Sequence, residues 1–154
     1  MDLAELSKRT RIERRKLRYV LDHKLVPQLH IEIKEGGWGS PRHFAEDVGF
    51  GIVCAAHLLN FGLRHETIRH FLVTLLEVKL AGDKPPALTY VLQRPLPAYA
   101  DFDDGERVRL RVDDYNSGWI PPGKSRKPQP DSDPVTTLTL NIGWIRDQVF
   151  ARNL

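Results

Sequence analysis

The sequence predicts an α+β protein with a helical first part and a strand-rich second part. Apolar residues recur with a period near 3.6 up to about residue 80 and alternate with a period of two after it. The change falls where Gly82, Pro85 and Pro86 interrupt both patterns. Charge separates the same two parts. Residues 8–24 hold eight basic side chains against Glu13 and Asp22, a net +6 within a chain of net +3, whereas from residue 81 onward ten basic and ten acidic side chains cancel. A boundary at about residue 82 gives expected domains at 1–82 and 87–154, a division that 154 residues can support.

In the first part, Leu3 and Leu6 begin a short helix, and Leu17, Val20 and Leu21 give a second helix its apolar row at i, i+3 and i+4. His30, Ile31, Glu32, Ile33 and Lys34 alternate as a strand. Glu35, Gly36 and Gly37 supply a hairpin turn, and 38–43 is the return strand. Phe44, Val48, Ile52, Ala55 and Leu59 keep a helical period through a third helix, ended by Asn60 and Gly62, and Ile68, Phe71, Leu72, Leu75 and Leu76 make a fourth.

The second part reads as a small antiparallel sheet with a short C-terminal helix. Leu88, Tyr90 and Leu92 alternate as a strand, and residues 99–102 and 107–112 form a hairpin about Asp103, Asp104 and Gly105. This acidic turn lacks the ligand spacing of a calcium loop. In the hairpin Val108, Leu110 and Val112 face inward and Arg107, Arg109 and Arg111 outward. The arginines are answered either by Asp101, Asp103, Asp113 or Asp114, or by an anionic ligand or phosphate. Five prolines with Lys124, Arg126 and Lys127 make 118–134 a long, mobile Pro-rich loop. Residues 135–142 return to alternation, and Asn141 or a neighbour caps a last helix carrying Ile145 and Val149. Trp119 and Trp144 are expected in the core, the alternatives being a pocket for a small-molecule effector or a dimer interface.

Several functions are disfavoured. No stretch is long and apolar enough for a membrane span, and the charged first 25 residues do not resemble a secretory signal, so a cytoplasmic setting is expected. The single cysteine, Cys54, fits a reducing compartment and reads as a small buried hydrophobe. None of the six histidines forms a His-x-x-x-His pair, so no metal or other cofactor is expected. Neither a nucleophile–base arrangement nor a phosphate-cradling glycine loop is present, and the chain does not read as an enzyme.

Helix, tight turn, basic helix, β-hairpin and two further helices is the order of a winged helix-turn-helix. The run 11–27 resembles the second-helix signature of the MerR-type transcriptional regulators. Leu17-Arg18-Tyr19 and Leu25-Val26-Pro27 stand in register with its Leu/Ile-Arg-Tyr-Tyr and its Gly-Leu-Leu with following proline. Arg42-His43-Phe44, Gly62-Leu63 and Ile68 continue in the family's order, so the resemblance covers about 3–80. Arg11 and Lys24 occupy positions where that family has glycine, and Gly82, Pro85 and Pro86 stand where its dimer helix begins. The effector cysteines of the metal-sensing members are missing.

The resemblance implies sequence-specific binding of double-stranded DNA and transcription regulation. The residues themselves point the same way: Arg14, Arg15 and Arg18 lie opposite the apolar row of the second helix, where arginine can take guanine bidentately in the major groove, Lys16 adds a further cation, and Tyr19 can donate to a phosphate. Lys34 and Arg42, on the wing, are expected to reach the adjacent backbone. Two alternatives use the same helix: an adaptor whose basic face docks on an acidic partner, and a phage or mobile-element DNA-binding factor. A homodimer is expected through 87–154, by the strand edge at 135–142 or by the apolar face of Trp144, Ile145 and Val149. A chain lacking 83–154 is then expected to be a folded monomer.

Overall fold

Asp2 sets the start of the chain's first helix. Its carboxylate accepts a hydrogen bond from the Glu5 amide at 2.9 Å, and that bond holds its carboxyl below the usual carboxylate range. A computed structural model describes residues 1–27, 43–77, 87–112, 115–120 and 134–150. Helix α1 spans Leu3–Thr10 and ends at Arg11, whose φ of 59° and ψ of 22° are left-handed. Its amide closes onto the Ser7 carbonyl, and the Ser7 hydroxyl donates to Ile12 across the turn. Arg11 thus adopts, without a glycine's freedom, the conformation for which glycine is the usual residue.

Helix α2, Arg14–Asp22, starts three residues after α1 and buries Leu17, Val20 and Leu21. Lys24, with φ 52°, is a second non-glycine in the left-handed region, and it turns the chain so that Leu25 and Val26 are buried behind it. Helix α3, Glu46–Asn60, is buried through most of its length, from Val48 to Ala56 and again at Leu58. Helix α4 is His65–Glu77. The hairpin expected at 30–43 lies outside the described residues apart from His43, as do the boundary residues Gly82, Pro85 and Pro86.

Next come α5 (Ala87–Gln93), β1 (Ala98–Asp103), β2 (Arg107–Val112), β3 (Tyr115–Ile120), β4 (Thr137–Leu140) and α6 (Ile142–Val149). The four strands form an antiparallel sheet in the order β3-β2-β1-β4. Ala98, Ala100 and Phe102 of β1 and Val108, Leu110 and Val112 of β2 share the buried face, and Phe71 meets Phe102 edge-on at 5.0 Å between ring centres. Asn141 caps α6 by accepting from the Trp144 amide at 2.9 Å. Gly143 is required by close approach, since a Cβ there would lie 2.9 Å from the Ala98 backbone nitrogen.

Two expected elements are corrected. Residues 88–92 are helical: Leu88 and Val91, three apart, are buried together with Tyr90, and Leu92 is not. Residues 118–120 are not loop but the end of β3, which pairs with β2 through Val108↔Ile120 and Arg109↔Trp119, with a register shift between Arg109 and Arg111. The rest of that expected loop, 121–133, lies outside the described residues. Trp144 is 49% exposed rather than core.

The chain divides into two compact units, one of residues 1–69 with the stretch from Ile145 on, the other of residues 70–144. The division falls inside α4 and again inside α6, not near residue 82. In the first unit Val149 is fully buried, its Cγ1 3.5 Å from where a Cβ on Gly49 would stand, and the Arg9 guanidinium donates to the Val149 carbonyl and to Glu5. Ile145 and Val149 therefore belong to a core, and the apolar face they form is not open to a second chain. Among the described residues no helix is long and apolar enough to cross a membrane.

This packing reverses the expectation for a shortened chain. Ending the protein at residue 82 removes part of the first unit's core and should abolish cooperative unfolding or lower its midpoint, read by circular dichroism. Val149→Ala should cost about 2 kcal/mol in chemical denaturation, from lost burial and the cavity left behind.

Candidate nucleic-acid interface

Helix α2 is split lengthwise by its own sequence. Leu17, Val20 and Leu21 are buried, and Arg14, Arg15, Lys16, Arg18 and Tyr19 are all exposed, Tyr19 by 42%. Five of the seven residues expected to contact nucleic acid therefore share one helix. The other two, Lys34 and Arg42, lie outside the described residues.

The position of these charges within the helix is unfavourable for the isolated chain. Arg14, Arg15 and Lys16 fill the first turn, which contains no acidic residue, and the Glu13 side chain makes no capping bond. Cations beside the positive end of the helix dipole typically cost 0.3–1 kcal/mol each. The ion pairs among the described residues are made instead by Arg9, Arg107, Arg109, Arg111 and Arg146. An anion at the start of α2 would offset both the mutual repulsion and the dipole cost.

The far end of α2 is held by residues the sequence did not single out. Arg69 donates to the carbonyls of His23 at 3.1 Å and Lys24 at 3.3 Å, placing a cation where the helix dipole is negative. The Tyr19 ring stacks on His23 with ring centres 3.7 Å apart, and its hydroxyl lies 3.2 Å from Nε2 of His65. The i, i+4 spacing of Tyr19 and His23 was a readable signal. That of His65 was not, since it is brought in by α4 from 46 residues away. Beside this cluster, an open-sided groove of about 390 Å³ runs between Arg15, Lys16 and Tyr19 of α2 and Ala56, Leu59 and Asn60 of α3.

The arginine row of β2 has partners in cis. Asp103 accepts both Nε and Nη2 of Arg109 at 2.7 and 3.0 Å together with the Thr137 hydroxyl at 2.8 Å. Asp101 accepts the same pair of donors from Arg111 at 2.7 and 3.1 Å together with the Thr139 hydroxyl at 2.6 Å. The result is two parallel Arg–Asp–Thr rungs across β2, β1 and β4. Each ion pair is diagonal, because the register sets Asp101 opposite Arg109 and Tyr99 opposite Arg111. Arg111 also covers the Tyr99 ring at 4.9 Å. Arg107 pairs with Asp104, which receives the Thr136 and Val135 amides as well. Asp101 and Asp103 were among the expected partners and Asp104 was not.

Cys54 is fully buried, and burial pushes its thiol pKa up, away from the reactive thiolate. Burial also lowers the pKa of His57, favouring its neutral form. Among the described residues no three His, Cys, Asp or Glu side chains converge as a metal site would require. A scan against protein-family models and searches of curated proteins and of solved structures found no match to this chain.

The Asp101 rung carries a pH dependence whose sign is determined. Burial alone would raise the Asp101 pKa, but the hydrogen bonds from Arg111 and Thr139 and the Arg111 charge outweigh it, so the folded value lies below the ordinary one. Its stabilisation is therefore complete above about pH 4 and is lost as pH falls through the folded-state pKa. Asp101→Asn should cost about 2 kcal/mol at neutral pH and flatten the acid limb of stability, measured by denaturant titration at a series of pH values.

Proposed function

We propose that this protein binds double-stranded DNA sequence-specifically through α2, as a transcription regulator acting in the cytoplasm. The observation that carries the proposal is the cationic first turn of α2, exposed and without an acidic side chain, on the second helix after a three-residue turn. Helix-turn-helix proteins present the start of the second helix to base edges in the major groove. Arg14 and Arg15 are there the base readers; Arg18 and Tyr19, further along, hold phosphates. Left-handed Arg11 and Lys24 lend support, because they stand where the regulators the sequence resembles have glycine, the residue that takes this conformation most readily. The buried thiol of Cys54 suits a reducing interior.

One module of this size reads few base pairs, so a two-fold pair of modules is part of the proposal. With Ile145 and Val149 buried, what remains of the two expected association surfaces is the outer edge of β4 and the half-exposed Trp144. The full-length chain should scatter light as a dimer, and Trp144→Ser should shift it toward monomer; a monomer at all concentrations would remove dimerisation from the proposal.

Duplex binding is tested by fluorescence anisotropy across a salt series. With Arg14, Arg15, Lys16 and Arg18 on phosphates or bases, log affinity should fall with log salt with a slope of about 3 to 4 per protomer, more if the wing contributes. Arg14→Ala and Arg15→Ala should each cost about 1 to 3 kcal/mol on the selected site and relax sequence preference, while Arg18→Ala and Tyr19→Phe weaken all duplexes alike. A slope near zero, or no binding at low salt, would reject the DNA reading.

A further inference from the structure

The groove between α2 and α3 has a wall that a duplex does not need. Phosphates and base edges are met by the cations of α2, but on the α3 side, Asn60 apart, the groove is lined by half-buried Leu59 and the largely buried Ala56, which are apolar, and Phe61, one residue beyond Asn60, is 63% exposed. An apolar wall facing a cationic wall across a cleft between two helices is the arrangement that receives an amphipathic helix of opposite charge. Its volume, about 390 Å³, lies in the range of sites that enclose one or two large side chains.

We infer that this groove docks an acidic amphipathic helix of a protein partner. An apolar side chain of that helix sits between Leu59 and Tyr19, and its carboxylates meet Arg15 and Lys16. Charge complementarity selects this occupant. The first turn of α2 carries three cations and no acid, so a neutral or basic helix would leave them uncompensated, while a carboxylate-bearing one offsets both their repulsion and the dipole cost. Arg15, Lys16 and Tyr19 are the side chains through which duplex DNA is proposed to bind. Helix and duplex therefore exclude one another, and the partner is an antagonist of DNA binding. This last step rests on the DNA reading; the docking itself does not.

The test uses the full chain and a labelled helical peptide of about 16 residues made of Glu, Ala and Leu, with the leucines on one face. The control is a peptide of identical composition whose leucines are scattered around the helix. Anisotropy without DNA should show the one-faced peptide binding at least tenfold more tightly than the scattered one. Leu59→Ser should remove most of that difference while leaving duplex affinity within about twofold, the burial of one leucine being equivalent to roughly a tenfold change. Asn60→Glu, at an exposed position, should weaken the peptide by adding like charge to the groove wall. Equal binding of the two peptides, or no binding of either, overturns the inference, as does a Leu59→Ser chain that folds and keeps its peptide affinity. If Leu59→Ser instead weakens duplex and not peptide, the groove belongs to the DNA surface and the inference is also overturned. A chain that binds the one-faced peptide but no duplex retains the docking site and loses only the DNA reading. In a mixture, the peptide should displace duplex competitively.

Discussion

Burial of Leu17, Val20 and Leu21 determines where every other side chain of α2 can point. The helix is short, and only this row attaches it to the core, so Arg14, Arg15, Lys16, Arg18 and Tyr19 have no position but the surface. The left-handed turn at Arg11 orients the helix after α1, and Arg69, bonded to the His23 and Lys24 carbonyls, secures its far end. A charged surface arranged in this way is rigid at its base. Long cationic side chains on a fixed helix lose less freedom on meeting an anion than the same residues on a loop.

Local patterns in the sequence reveal the parts that depend on local period. The four helices of the first part and the hairpin of β1 and β2 can be read from spacing and turn residues, and Asn141 is among the residues that can cap the last helix. Residues 88–92 mislead because five residues can satisfy both periods at once: Leu88, Tyr90 and Leu92 alternate, while Leu88 and Val91 share a helical face. Only the burial of Val91 decides between them. Gly118, next to a proline-rich run, concealed the end of β3, whose formation depends on pairing with β2. The basic row of α2 was legible for the same local reason. His65, Arg69 and Leu59 were not, since each is brought to α2 by another helix.

The sheet shows how polar side chains can specify register. Asp101 and Asp103 are buried although they belong to the face opposite the hydrophobic one, because Arg109, Arg111, Thr137 and Thr139 cover them. A slip of one residue between β1 and either neighbour would turn carboxylates toward Phe102's side of the sheet and strand three guanidiniums against apolar groups. The inner strand β2 and the edge strand β4 are thereby each held to one alignment with β1. The arginines of β2, which by charge alone resemble a second nucleic-acid surface, are committed within the chain.

The unit that carries α2 is discontinuous in sequence, and this imposes an order of events on its birth. Its helices α1 to α3 are synthesised first, yet Ile145 and Val149, which complete their core, follow a stretch of about 75 residues that belongs to the other unit. At typical elongation rates of 5–20 residues per second the nascent chain waits roughly 4 to 15 seconds with the surface around Gly49 uncovered. During that interval it is a candidate for chaperone capture, and the cationic helix is already in place before the body that supports it is finished. A ribosome stalled anywhere between the two segments would leave a polypeptide that carries the cationic helix but lacks the residues that complete its packed core.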